Sequence, residues 1–141
     1  MEDIMTQLSD HGPHAFITPI EKNTLENTNF RTTLWTGKNI QVTLMTIQPG
    51  HDIGLEVHHD IDQFLRIEEG SATVYFGESE DTLTTQSAVQ DDAILVPGGT
   101  WHNLVNTGDI PLKLYSIYGP PDHVFGTVHI TKHDAEVDEN E

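Results

Sequence analysis

The feature that most constrains this chain is a succession of short apolar-rich runs, each too short for a helix and each closed by turn chemistry. FRTTLWTG, NIQVTLMTI, LEVHH, QFLRIEE, SATVYFG, TLTTQSAV, DAILVP, WHNLVN and LKLYSIYG are rich in Thr, Val, Ile, Leu and aromatic residues, which fit a pleated, half-buried surface. Between them stand Thr36-Gly37, Pro49-Gly50, Asp60 to Asp62, Glu69-Gly70, Gly77, Asp91-Asp92, Pro97-Gly98-Gly99, Gly108-Asp109 and Gly119-Pro120-Pro121. Such residues supply positive φ, a preset φ or local side-chain hydrogen bonds. Strands at roughly 8 to 12 residue spacing, with no apolar helical period between them, predict an all-β sandwich or small barrel. TPIEKNTLENTNF contains a short helical turn at most.

A length of 141 residues is enough for one domain with its own core. Residues 1–15 lack periodicity and are expected as a flexible N-terminal arm, residues 16–119 as the barrel, and residues 120–141 as a C-terminal extension with an acidic tail, DAEVDENE. The absence of cysteine excludes disulfides, thiolate metal sites and cysteine nucleophiles. A metal would therefore sit on His, carboxylate or amide ligands. The formal charge of -17, with 6 Lys and Arg against 23 Asp and Glu, opposes nucleic acid and anionic membrane as partners. No run approaches the roughly 18 apolar residues of a membrane span, and MEDIMTQLSD lacks the basic and apolar regions of a signal peptide. A cytoplasmic location is expected.

The chemistry concentrates in GLEVHHDIDQF, residues 54–64. Side chains alternate along a strand, so Glu56 and His58 share a face while Leu55, Val57 and His59 take the other. After a turn at Asp60 to Asp62, Gln63, Leu65 and Ile67 share the inward face, and Arg66 and Glu68 are expected outside. In WHNLVN, His102, Leu104 and Asn106 alternate onto one face, and Trp101 points away. Convergence of Glu56, His58, Gln63 and His102 inside one barrel would assemble two imidazoles and a carboxylate. That donor set suits non-haem iron, and also zinc, manganese, nickel or copper. Gln63 is then a fourth, neutral oxygen ligand or a hydrogen-bonding neighbour. His51, His59 and His133 are expected to be ordinary strand or surface histidines.

These residues resemble the cupin superfamily, whose motifs can be written G-x5-H-x-H-x3,4-E-x6-G and G-x5-P-x-G-x2-H-x3-N. Pro97, Gly99, His102 and Asn106 match the second, with Asp91 in place of its leading glycine. In the first, Gly70 closes the motif, His58 takes the second His position, Glu56 stands in the first, and Gln63 stands where Glu is usual. The resemblance extends over most of the chain after about residue 16, to small bacterial single-domain cupins loosely grouped as mannose-6-phosphate isomerase-like. It implies a double-stranded β-helix, or jelly-roll barrel, with a metal pocket for Fe, Zn, Mn or Ni, and commonly a homodimer. The exchange of Glu56 and Gln63 keeps the ligand charge while moving it.

The expected function is that of a metal-binding cupin using a divalent ion as Lewis acid or for oxygen activation on a small-molecule ligand. The alternatives are a sugar or sugar-phosphate isomerase-like cupin and a non-catalytic binder of a small metabolite. Arg31, Arg66, Lys38, Lys113 and Lys132 form the cationic pool for a phosphorylated sugar, and Arg66 is expected to face outward. Tyr75, Asn106 and Tyr115 are candidates to line the pocket. His123, His129 and Lys132 either cover the barrel mouth or belong to an extended tail whose TVHIT pairs an open sheet edge.

Overall fold

The computed structural model of the protein describes residues 8–138. Helix α1 (Ile20–Glu26) precedes strands β1 (Arg31–Thr36), β2 (Gln41–Ile47), β3 (Asp62–Glu69), β4 (Ser71–Gly77), β5 (Thr84–Val89), β6 (Ala93–Val96), β7 (Trp101–Val105), β8 (Leu112–Gly119) and β9 (Val128–His129), and α2 (Lys132–Glu136) follows them. One antiparallel sheet has the order β6-β3-β8-β2-β1-β9, the other β5-β4-β7. The chain crosses between the sheets repeatedly, so each sheet hides its apolar face against the other, as in the expected jelly roll.

Alternation builds the core. On β8, Leu112, Leu114, Ser116 and Tyr118 point inward while Lys113, Tyr115 and Ile117 point outward. On β3, Gln63, Leu65 and Ile67 are buried. With Met45, Ile47, Val74, Ile94, Val96 and Leu104 these leucines and isoleucines form one continuous cluster. Full burial of each such side chain contributes about 1.5–3 kcal/mol.

Glu68 departs from the expectation that it faces outward. It is buried and pairs with Arg66 Nε at 2.7 Å. The reason is a bulge: the register of β3 against β8 shifts between Ile67 and Glu69, so strict alternation ends there. Gly70, just beyond it, has φ 97. A Cβ at Gly70 would also lie 3.2 Å from Leu112 Cα, so both conformation and space call for glycine.

LEVHH does not form a regular strand. Its contacts are isolated bridges, Asp52 to Val105 and Glu56 to His102. Gly54 at φ 94 interrupts extended geometry between them. Gly50, φ 81, opens this segment six residues before Glu56, the spacing the first motif asks of its leading glycine.

Residues 1–7 of the expected N-terminal arm lie outside the described residues. The part that follows is tied down: the Asp10 carboxylate accepts hydrogen bonds from the Gly12, Thr36 and Gly126 amides at 2.9–3.1 Å. Burial pushes its carboxyl up, but the hydrogen bonds from Thr36, Gly12 and Gly126 together outweigh it and hold the group below the usual range. In the C-terminal extension, β9 pairs with β1 at the sheet edge, Arg31 opposite His129. The last residues of the acidic tail, 139–141, lie outside the described residues.

Candidate metal centre

Glu56 and His102 are brought together by backbone. The Glu56 amide donates to the His102 carbonyl at 3.0 Å and the His102 amide donates to Glu56 at 2.9 Å. The two side chains therefore start from directly opposed positions of an antiparallel bridge. His58 is placed by the turn at Pro97 to Gly99: the Gly99 amide donates to the His58 carbonyl at 2.8 Å, and the Gly98 amide to the Asp62 carboxylate at 2.8 Å. The Pro-Gly-Gly turn thus ties the loop carrying His58 to the start of the strand carrying His102.

The three side chains converge. Glu56, His58 and His102 each offer one ligand atom, all within 4.8 Å of one another. His58 Nε2 lies 3.3 Å and His102 Nε2 3.5 Å from Glu56 Oε1. Both Nε2 atoms are buried and make no well-formed hydrogen bond. A buried polar atom without a partner carries a desolvation cost of about 1–3 kcal/mol. Paired around one carboxylate, these atoms fit a divalent ion.

The far sides of the rings carry the orientation such a set requires. His102 Nδ1 lies 3.0 Å from the Thr100 carbonyl. As a donor there, Nδ1 leaves the Nε2 lone pair free for a ligand. His58 Nδ1 faces Asp122 Oδ1 at 3.7 Å. Burial pushes the Glu56 carboxyl up, but hydrogen bonding from His102 and His58 outweighs it and draws the group down to about 2. The same contact with Glu56 raises His58, against burial.

Gln63 is buried as expected on β3, with Nε2 donating to Ser116 Oγ at 2.9 Å. Its Oε1 has no hydrogen-bond partner. The cavity beside Glu56 and His58 is about 380 Å³ and is lined also by Arg31, Asp122, His123 and Lys132. Gln63 does not line it, but borders an apolar groove between β3, β6 and β8.

The three pocket candidates lie elsewhere. Asn106 is fully buried as a clamp: its Nδ2 donates to the Ile47 and Ile110 carbonyls at 2.8 and 2.9 Å, and its Oδ1 accepts from the Gly108 amide at 2.9 Å. Every polar atom of its side chain is thereby used, tying the β7–β8 turn to the end of β2. Tyr75 alternates outward beside the buried Val74, and Tyr115 alternates outward with its ring 6.3 Å from Phe64. The inward tyrosine is Tyr118, whose ring stands edge-on to His58 at 6.2 Å and to His123 at 5.2 Å. Burial pushes its phenol up to about 12. Burial, then the Arg31 charge, pushes His123 down to about 4.

Arg31, Asp122, His123 and Lys132 complete the cavity, and alternation on the inner strands does not announce them. Lys132 is ion-paired with Asp52, and His123 Nε2 faces Asp122 Oδ2 at 3.4 Å. The C-terminal extension thus both pairs the sheet edge through β9 and walls the cavity. His51, His59 and His133 are exposed, away from the triad.

Known proteins similar to this chain bear on its family. The chain is 58% identical over 135 residues to the uncharacterized protein YrkC of Bacillus subtilis, covering 95% of this chain and 73% of that protein. It is 35% identical over 119 residues to the uncharacterized protein L612 of Acanthamoeba polyphaga mimivirus, covering 84% and 73%. The crystal structure of BH2720 from Bacillus halodurans superimposes with a TM-score of 0.91 at 55% identity, covering 92% of this chain and 99% of that one. Residues 43–118 match the cupin domain family, a span that carries the triad, β3 to β7, most of β2 and β8, and the Pro-Gly-Gly turn: the chain belongs to the cupin family.

Proposed function

We propose that Glu56, His58 and His102 hold one divalent transition metal ion, and that a small oxygen-bearing molecule binds beside it in the cavity and is turned over there. The observation that carries this reading is the pair of buried, unpartnered Nε2 atoms facing one carboxylate. When bound, such an ion supplies Lewis-acid polarisation of a ligand oxygen or, as iron, a site for oxygen activation. Glu56 brings the anionic charge and remains ionised across the physiological range. The Thr100 carbonyl orients the His102 ring, and Asp122 places a negative charge beside His58 Nδ1. Gln63 Oε1 is buried and unsatisfied on the inward side of β3 but lines no part of this cavity, so Gln63 takes no role at the ion. Tyr118 keeps its proton and presents a ring edge to His58.

A sugar-phosphate substrate fits less well, because Asp52 occupies Lys132 and the carboxylates Asp122 and Glu136 also line the cavity. We further take the chain to be cytoplasmic and homodimeric, with the apolar groove of Ile40, Phe64, Leu95 and Ile117 as the contact face. Among the described residues no helix is long and apolar enough to cross a membrane.

The test is metal analysis of the purified protein. One ion per chain in the wild type, and a small fraction of that in Glu56→Ala and His102→Ala, is expected. Equal metal content in all three would end this assignment. A non-catalytic binder would load metal equally well but leave every small-molecule ligand unchanged.

A further inference from the structure

The cavity contains a second chemical group with no assigned purpose. Arg31 is 8% exposed and lines the same 380 Å³ space as Glu56 and His58. Its Nε is buried without any hydrogen-bond partner. Nη1 meets His129 Nδ1 at 3.1 Å, and the guanidinium carbon sits 5.2 Å from the centre of the Phe30 ring. No Asp or Glu among the described residues forms an ion pair with it. The nearest relay to a carboxylate passes through His129, whose Nε2 lies 2.8 Å from Asp138 Oδ2.

In a chain with 23 acidic residues and 6 Lys and Arg, a buried arginine without a carboxylate in contact is conspicuous. Burying an ion costs several kcal/mol unless a partner charge and hydrogen bonds offset it. Neither the Phe30 ring nor the His129 imidazole carries a negative charge, so the guanidinium charge stays in place. Lys132 is taken by Asp52, and Asp122 faces His58 and His123, while Glu56 and Glu136 add negative charge to the cavity without an ion pair to Arg31. Arg31 is therefore a cation lining the cavity that no carboxylate contacts directly, and it brings one positive charge with an unused Nε donor.

Resting on the proposed metal centre, we propose that Arg31 binds the carboxylate of a small monocarboxylic acid whose neighbouring oxygen reaches the Glu56, His58 and His102 donors. A planar guanidinium fork pairs with a carboxylate through parallel hydrogen bonds. One guanidinium pairs with a monoanion, whereas a phosphate dianion would bring a second negative charge beside Glu56, Asp122 and Glu136. The apolar side of Phe30 and Ile53 leaves room for a short carbon skeleton.

The experiment titrates glycolate, glycolamide and inorganic phosphate into the full-length protein, both metal-loaded and metal-stripped, by calorimetry. Wild type, Arg31→Gln and Arg31→Lys are compared. Glycolate is expected to bind wild type at least tenfold more tightly than Arg31→Gln, with Arg31→Lys between them. Glycolamide should not distinguish wild type from Arg31→Gln, and phosphate should bind more weakly than glycolate. The Arg31 dependence should persist, at lower affinity, in metal-stripped protein. If Glu56, His58 and His102 take up no metal, the stripped arm still decides the role of Arg31. Equal glycolate affinity in wild type and Arg31→Gln, no glycolate binding in either form, or tighter binding of phosphate would overturn the proposal. Circular dichroism of Arg31→Gln confirms the fold, and Arg31→Lys supplies the comparison if that variant is unfolded.

Discussion

Asp91 shows how a single backbone angle restores sense to a motif mismatch. It occupies the position where the second motif begins with glycine, and it is the non-glycine residue with positive φ, 75°, among the described residues. Aspartate visits this left-handed region more readily than most residues, while a β-branched side chain pays roughly 1–2 kcal/mol there. The Asp91 carboxylate also meets Arg66 at 3.1 Å on the surface, where solvent screens the contact. Asp91→Gly is therefore expected within about 0.5 kcal/mol of wild type in urea denaturation, and Asp91→Val lower by about 1–2 kcal/mol. Equal stability of the two variants would contradict the strain. A second residue sets pH dependence. Burial lowers His123 from 6.5 to about 4, so between those values the unfolded chain binds a proton that the folded chain refuses. Stability is then complete above pH 6.5 and falls as pH drops toward 4. Melting curves of metal-stripped protein should drop between pH 7 and 5, and His123→Asn should flatten that drop. An unchanged slope would show that another group is responsible.

Strand β8 carries the element-scale argument. It lies between β3 and β2 in the larger sheet, and its inward face supplies Leu112, Leu114, Ser116 and Tyr118. Ser116→Ala would strip the Gln63 amide of its partner and should cost about 1–3 kcal/mol, whereas Leu114→Ala should cost about 2–5 kcal/mol. Chemical denaturation measures both, and a Ser116→Ala protein as stable as wild type would mean that Gln63 finds another partner. Alternation on this strand, extended from Leu112 and Leu114, leads to Tyr118 as the inward tyrosine and leaves Tyr115 outside. The period-two pattern was thus sufficient to choose among the tyrosines on β8. It fails at Glu68, where a bulge shifts the register, and at Arg31 and Thr32, where both faces of β1 are covered and consecutive residues are buried. Asn106 carries a motif position yet serves the turn, because its two carbonyl contacts and one amide contact depend on tertiary placement that spacing does not encode.

At the scale of the whole molecule, two sheets bring together residues far apart in sequence, and the C-terminal extension closes over the result. The convergence of Glu56, His58 and His102 was legible from motif spacing, although LEVHH is a bridged loop and the pair shares a side without being a regular strand. The cavity wall of Arg31, Asp122, His123 and Lys132 was not, since it is built from a strand edge and a tail with no periodic pattern. Truncation after Gly119 should therefore spare the three donor residues but remove Asp122, His123 and Lys132. Metal uptake by the truncated chain is expected to survive at reduced affinity, measured by competition with a chromogenic chelator; undiminished affinity would show that the extension takes no part in the centre. The exposed Leu95, 68% accessible beside Phe64 and Ile117, bears on assembly. Leu95→Lys should shift the chain from dimer to monomer in sedimentation, and a wild-type monomer would remove the need for that face.

The most direct test of the central claim is an anomalous difference map from crystals of the metal-loaded protein, collected on both sides of the absorption edge of the bound element. A single peak is expected at about 2.0–2.2 Å from His58 Nε2, His102 Nε2 and a Glu56 carboxylate oxygen. A peak that omits Glu56, or a fully loaded crystal whose ion lies elsewhere, would contradict the account.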